Sequence, residues 1–297
     1  MAQQQIRLEY DSLPAVMPSY LRAATTLSGG LSTGQTIPDM VAELRGREVR
    51  AEPLAKYRKV CGFSHAHHLP VTYPHVLAFP MHMAVMTDKR FPLKLLGLIH
   101  VRNEITQHRS IGADETLDLE VAVGGHREVA KGVEFDLITR VRDHAGDLIW
   151  EETGTMLSRQ KSSVSEADKK SAKKQSKTDA LADAEHTNEW QVPADIGRRY
   201  AAAAGDYNPI HLSPWSAKLF GFPRAIATGM WTKARAAAAL EPELTRDAYT
   251  LALAFKKPVF LPSRARFGYT LTEAGADFAL TNTQGDILHL KGDVRYL

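Results

Sequence analysis

The stretch Tyr200-Ala-Ala-Ala-Ala-Gly205-Asp206-Tyr207-Asn208-Pro209-Ile210-His211 limits the folds open to this chain more than any other. Pro209 has no N–H to give a helical ladder and pushes Asn208 towards extended dihedrals, so a helix entering through the alanines must end near Gly205 and turn. On an unbroken helix of about 3.6 residues per turn, positions 206 and 211 would point about 140° apart. A bend instead lets Asp206 and His211 converge. A carboxylate and an imidazole on one tight turn suit acid–base work, because one can hold a water or hydroxyl while the other moves a carbon-bound proton. Unperturbed, the two titrate near ~3.9 and ~6.5, so a carboxylate and a largely neutral imidazole are the starting states at neutral pH. Taken alone, a Gly-Asp pair is more often a turn cap and its histidine an ordinary loop side chain. The residues downstream change that balance.

They run from Ser213 through Gly221-Phe222 to Thr228-Gly229-Met230, and then into the alanine-rich stretch from Trp231 to Leu240. Thr228 reads as the N-cap of a helix opening at Gly229, which leaves free N–H groups at the positive end of the helix dipole. An oxygen gaining charge there meets donors fixed in advance, an arrangement in which one lost donor costs ~3 kcal/mol. Alanines at 234 and 236–239 favour helix and let a sheet approach closely, so this helix is expected to be buried.

Together these residues resemble the MaoC-like family, whose catalytic members are R-specific enoyl-CoA hydratases and hydroxyacyl-thioester dehydratases. Gly205-Asp206-x-Asn208-Pro209-x-His211 carries the hydratase motif, and Gly221-Phe222 through Gly229-Met230 carries the second landmark. The resemblance implies that Asp206 and His211 are the catalytic pair, that Asn208 fixes the turn, and that Gly229, followed by Met230, offers its N–H to the thioester oxygen. Many members have His before that glycine, where this chain has Thr228. A backbone donor survives the exchange. The implied reaction is reversible hydration of a trans-2-enoyl thioester, or dehydration of an (R)-3-hydroxyacyl thioester, carried by coenzyme A or acyl carrier protein, with no metal or redox cofactor. Asp206 would deprotonate the water and His211 would deliver a proton to the α-carbon, although the sequence leaves the acid and base assignments interchangeable. Two other readings are a non-catalytic acyl-thioester-binding protein and a thioesterase on the same scaffold.

The rest of the chain agrees with a soluble enzyme. Its 297 residues are 44% hydrophobic and 24% charged, enough for one large or two ordinary domains. It has no 18-residue apolar run, and the start Met1-Ala-Gln-Gln-Gln lacks a signal-peptide pattern, so a cytoplasmic location without membrane insertion is expected. Cys61 is the only cysteine, which excludes an internal disulfide and a cysteine-built zinc cage. A net charge of +3 does not point to nucleic acid. Between Lys161 and Thr178, six lysines face two acids with almost nothing to bury, the composition of a solvated linker.

That linker separates two halves whose elements follow the same order. Tyr57 to Gly62 matches Tyr200 to Gly205, which puts Phe63 where Asp206 sits, and no Asn-Pro-x-His follows in the first half. Helices are expected over Val76–Met86, kinked or delayed by Pro80, and over Met230–Leu240. Strands are expected over Pro92–Glu104 against Tyr249–Phe260, and over Glu115–Val123 against Ala265–Thr272. Hairpins are expected to turn at Asp143–Asp147 and Asn282–Asp286. The resemblance makes this an α+β protein of two hotdog-like units, each a central helix wrapped by an antiparallel sheet. The expected divisions are a degenerate unit at 1–160, a linker at 161–184 and a catalytic unit at 185–297. The first unit is expected to lend acyl-tail space, and the chain to be a possible homodimer.

Other residues carry weaker signals. His65, His67 and His68 lack a cysteine or carboxylate nearby and read as a polar loop, and His75 and His82 read as packed or surface histidines. No Gly-x-Ser-x-Gly elbow, phosphate loop or dinucleotide fingerprint is present. Lys256 and Lys257, with Arg264 and Arg266, form a candidate site for carrier phosphates, and a solvated basic edge is the plainer alternative.

Overall fold

Period-two alternation in the second part of each half builds strands that pair into a single sheet. The computed structural model describes residues 5–25, 29–31, 35–160 and 184–297, and the lysine-rich stretch lies outside them. The strands are β1 (Ile6–Tyr10), β2 (Met40–Glu48), β3 (Leu98–Gln107), β4 (Thr116–Val129), β5 (Gly132–Arg142) and β6 (Leu148–Arg159), followed by β7 (His186–Val192), β8 (Tyr249–Phe255), β9 (Ser263–Thr272), β10 (Gly275–Asn282) and β11 (Leu288–Tyr296). Their order is β1-β2-β4-β5-β6-β3-β8-β11-β10-β9-β7. From β2 inwards and from β7 inwards, the two sides have the same order and meet at β3 and β8. That seam is antiparallel, from Arg102 opposite Ala254 to Gln107 opposite Tyr249. The expected two sheets are thus one continuous sheet. β1, which the sequence did not suggest, adds to the edge in parallel with β2.

The helices repeat as well. α1 (Val16–Thr25) stands outside the repeat. α2 (Ala51–Cys61) and α3 (Tyr73–Met86) precede the strands of the first unit, while α4 (Ile196–Ala204) and α7 (Gly229–Leu240) hold the same places in the second. α5 (Pro209–Leu212) and α6 (Pro214–Lys218) are short turns between α4 and α7. α3 and α7 are buried on nearly all sides, as befits helices enclosed by a sheet. The Tyr57 and Tyr200 rings meet across the two units at 6.0 Å. Gly62 (φ 85°) and Gly205 (φ 78°) end α2 and α4 in the left-handed conformation that favours glycine, with N–H bonds back to Arg58 O and Ala201 O. The matched Tyr-x4-Gly segments are therefore matched helix ends.

Two boundaries differ from expectation. Pro80 does not delay the start of α3. The helix starts at Tyr73 and runs through the proline, because burial of eleven side chains outweighs a proline cost of about 3 kcal/mol. The strand expected from Pro92 starts only at Leu98, after Gly97 turns at φ 113°. Both hairpins turn where expected, and Asp143 and Asn282 accept backbone N–H bonds within them.

A buried polar cluster fastens α7 to the seam. Lys233, fully buried on α7, donates to Asn103 O (3.1 Å), to Leu251 O (2.9 Å) and to Asn103 Oδ1. Asn103 Nδ2 in turn donates to Glu152 Oε1 at 2.6 Å. Burial lowers the Lys233 pKa from 10.5 to about 7 against the pull of Glu152 and Glu104. Burial, helped by His75, lowers His82 and His100 from 6.5 to about 3. For Glu152 burial opposes charge, but His75, His82 and Asn103 outweigh it and bring the pKa from 4.5 to about 2. Each of these groups binds protons more readily in the unfolded chain, so folding stability rises with pH across each gap. The histidine contribution is complete above pH 6.5 and lost as pH falls towards 3, with Glu152 adding to the loss below 4.5. We therefore expect the melting temperature to fall steadily between pH 6.5 and 3, and His82→Gln, which cannot titrate, to flatten that fall in thermal melts.

Candidate active site

Asp206 and His211 are placed by the end of α4 and the start of α5. Gly205 turns the chain out of α4, Asn208 takes the N-cap position of α5, and Pro209 occupies the first turn, where its missing N–H costs nothing. The Asn208 carboxamide oxygen accepts from Ile210 N–H at 3.4 Å, so Asn208 does shape this turn. α5 approaches α4 so closely that a Cβ on Gly197 would lie 1.9 Å from the His211 carbonyl oxygen. Only glycine allows that contact.

The two side chains converge. Asp206 Oδ2 lies 4.0 Å from His211 Nε2, with His211 buried and Asp206 partly exposed. His211 Nδ1 is 2.8 Å from Ile226 O. A carbonyl can only accept, so Nδ1 carries the hydrogen and Nε2 is the nitrogen that faces Asp206. Ile226 is itself anchored by its N–H to Ile210 O, which ties the segment before α7 to the turn that carries His211. The other Asp206 oxygen accepts from Asn208 N–H (3.2 Å) and from the Tyr20 hydroxyl (3.0 Å). Burial, then the Asp206 charge, push the Tyr20 pKa far up, so this hydroxyl stays a donor. Tyr20 lies on α1, 186 residues away in sequence, and no pattern in the chain marks it.

Gly229 is the first residue of α7, as expected, so its N–H belongs to the unpaired set at the helix start. Thr228 precedes it in extended conformation, but its side chain makes no capping bond, contrary to the expectation from the sequence. Its hydroxyl is buried without a partner among the described residues. The Phe255 ring walls Gly229, 3.1 Å from where a Cβ would stand. Met230, Tyr200, Ala204 and Asp206 border a small cavity that His75 and Phe79 of α3 close from the first unit.

The basic residues divide. Lys256 and Lys257 are exposed just past Phe255, and Lys256 borders a separate groove that Arg102, Asp277 and Asp293 share. Arg264 and Arg266 do not join them as expected: strands β11 and β10 intervene, and Arg264 is 3.4 Å from Glu189. His65, His67 and His68 are exposed in a loop, while His75 and His82 are packed inside. Among the described residues the group with metal-ligand spacing is instead His75, His82 and Glu152.

A family model described as "MaoC like domain" matches residues 167–289. The 3-hydroxyacyl-thioester dehydratase X of Mycobacterium tuberculosis is 34% identical over 284 residues, covering 96% of this chain and 99% of that protein. A crystal structure of HtdX from the same organism superposes with a TM-score of 0.74 at 32% identity, covering 86% of this chain and 100% of that one. A MaoC-like dehydratase from Phytophthora capsici shares the fold, with a TM-score of 0.68 at 15% identity over 88% of this chain and 96% of the other.

Two substitutions test the geometry. Gly197→Ala should displace the His211 backbone and cut turnover of an acyl-thioester substrate about 100-fold, since a shift of about 1 Å at a reacting group costs that much. Tyr20→Phe removes a hydrogen bond to a charged group, a term of about 1.5–3 kcal/mol, and should lower kcat about 10-fold while leaving the melting temperature within a few degrees. Steady-state kinetics beside melts on both variants check these outcomes.

Proposed function

From the premise that this chain belongs to the MaoC-like family, we propose that it interconverts 3-hydroxyacyl and trans-2-enoyl thioesters at Asp206 and His211. The observation that carries the proposal is the 4.0 Å approach of Asp206 Oδ2 to a His211 Nε2 whose other nitrogen is tied to Ile226 O. In hydration the Asp206 carboxylate takes a proton from water as its oxygen attacks the β-carbon, and His211 Nε2–H delivers a proton to the α-carbon. Dehydration runs the same steps backwards: neutral Nε2 takes the α-proton and the protonated Asp206 gives its proton to the leaving hydroxyl. The pair shares one mobile proton throughout, besides the hydrogen that His211 Nδ1 keeps on Ile226 O. The thioester oxygen, which gains charge as the α-proton moves, is placed against the N–H of Gly229 at the start of α7, with Met230 behind it. Substrate carbons and fixed dipoles supply what the reaction requires.

The same proposal assigns the two units, 1–160 and 185–297 about a linker at 161–184, to different work. The second supplies the reacting groups. The first, through Phe79 and His75, closes the space beyond Asp206. We further propose an R configuration for the hydroxyacyl substrate and coenzyme A as its carrier, with Lys256 and Lys257 near its phosphates. Acyl carrier protein is the other carrier of the same thioester chemistry.

Loss of the conjugated absorbance of crotonyl-CoA tests the activity, and chiral analysis of the product tests its configuration. Asp206→Asn and His211→Ala should each slow the reaction ~100-fold or more. Full activity in either variant ends the assignment, and release of free coenzyme A without hydration would favour a thioesterase. Reversing both lysines to glutamate should raise KM about 10-fold for crotonyl-CoA but not for crotonyl-pantetheine, since screened phosphate contacts of this kind contribute about 1 kcal/mol.

A further inference from the structure

The first unit has lost the aspartate and histidine of the motif but has gained a different buried pair beside the same cavity. His75 of α3 and Glu152 of β6 are 2% to 11% exposed at their side chains. His75 Nδ1 lies 2.9 Å from both Glu152 oxygens, so it donates to the carboxylate. Glu152 is held from behind by Asn103 Nδ2 and through it by Lys233. His82, its own Nε2 bonded to Thr139 Oγ1 at 2.7 Å, packs its ring 5.1 Å from that of His75. The imidazole is therefore fixed at one nitrogen and packed on one face. Among the described residues Nε2 of His75 has no protein partner. His75 borders the cavity that Asp206 borders from the second unit, and about 20 Å³ of that cavity is open to the centre of a water, space for about one molecule. A buried carboxylate is costly, so one held against an imidazole at the wall of a reacting cavity is a marker of function.

We propose that His75 is a third polar residue of the active site, contributed by the unit that lacks the motif, and that its Nε2 accepts the hydrogen of the substrate's 3-hydroxyl. This rests on the dehydratase reading above and deepens it. The reacting oxygen needs two partners. In dehydration Asp206 donates a proton to it, and the hydrogen it already carries must point to an acceptor while the C–O bond breaks. In hydration the same oxygen is water: Asp206 takes one proton, Nε2 receives the other hydrogen as a hydrogen bond, and a lone pair is left to attack the β-carbon. No proton moves to His75, so the acid–base balance of Asp206 and His211 is unchanged. Glu152 keeps the hydrogen on Nδ1 and thereby leaves Nε2 an acceptor.

The test uses the full chain and two variants. His75→Asn keeps a donor for Glu152 at the place of Nδ1 and withdraws the acceptor at the place of Nε2. His75→Gln restores reach towards the cavity. Calorimetry with 3-hydroxybutyryl-CoA and butyryl-CoA measures the preference for the hydroxylated ligand, and the crotonyl-CoA assay measures turnover. His75→Asn should lose about 10-fold or more of the wild-type preference and about 100-fold in kcat/KM, with butyryl-CoA affinity within about 2-fold, and His75→Gln should recover a good part of both. A purely structural pair would weaken both ligands alike, and that result, or an unchanged preference, overturns the proposal. If the wild-type protein turns over neither substrate, the dehydratase reading fails and the binding comparison still decides the role of His75. Should His75→Asn not fold, the wild-type protein is titrated with 3-methoxybutyryl-CoA, which has no hydroxyl hydrogen. Binding as tight as that of the hydroxyl compound overturns the proposal, and loss of the preference upholds it.

Discussion

The pairing of β3 with β8 is the contact on which the rest of the molecule depends. Six residue pairs, from Arg102 with Ala254 to Gln107 with Tyr249, turn two curved sheets into one. Their helices are thereby forced face to face, with Tyr57 against Tyr200 and the Trp231 indole donating to Val60 O. Each unit would otherwise expose an unpaired strand edge and an apolar helix face. The second unit taken alone would lose more than stability, because the cavity next to Asp206 is walled by Phe79 and His75, and the Asp206 carboxylate is held by Tyr20.

Across the seam the two units have diverged at equivalent positions. Phe63 follows Gly62 and stacks on Tyr57, with centroids 6.3 Å apart, where Asp206 follows Gly205 and turns to His211. The glycine that ends the helix is kept in both because both units need the left-handed turn there. Beyond the turn the two units differ, with apolar packing in the first and a carboxylate near an imidazole in the second. The first unit has a buried polar pair elsewhere, His75 of α3 with Glu152 of β6, and His75 borders the cavity that Asp206 borders from the second unit.

A buried polar path runs from Lys233 across the seam through Asn103 and Glu152 to His75, which borders the same cavity as Asp206. Such a path is expensive to bury and is satisfied at nearly every step, the condition under which it rigidifies its surroundings. It also couples folding to pH, because burial lowers the pKa of Lys233, while at Glu152 burial is outweighed by His75, His82 and Asn103, which lower its pKa.

The convergence of Asp206 and His211 was legible in the sequence because it is local: Gly205 and Pro209 dictate a turn, and a turn of that length can bring residues 206 and 211 together whatever surrounds it. The start of α7 at Gly229, the paired hairpin turns and the repeated order of elements were legible for the same reason, since helix ends, turns and alternation depend on neighbours in the chain. Tyr20, His75 and the Lys233 network were not, because their meaning lies in partners distant in the chain, 186 residues away for Tyr20 with Asp206, 77 for His75 with Glu152 and 130 for Lys233 with Asn103, and an isolated tyrosine or histidine has no periodicity to betray it. Thr228 shows the limit in reverse, since its place at the helix start followed from the sequence but the buried, unpartnered state of its hydroxyl did not. The chain by itself determined which residues could react. Only the closing of two units into one sheet decided what stands opposite them, because distance between side chains is set by packing and not by spacing along the backbone.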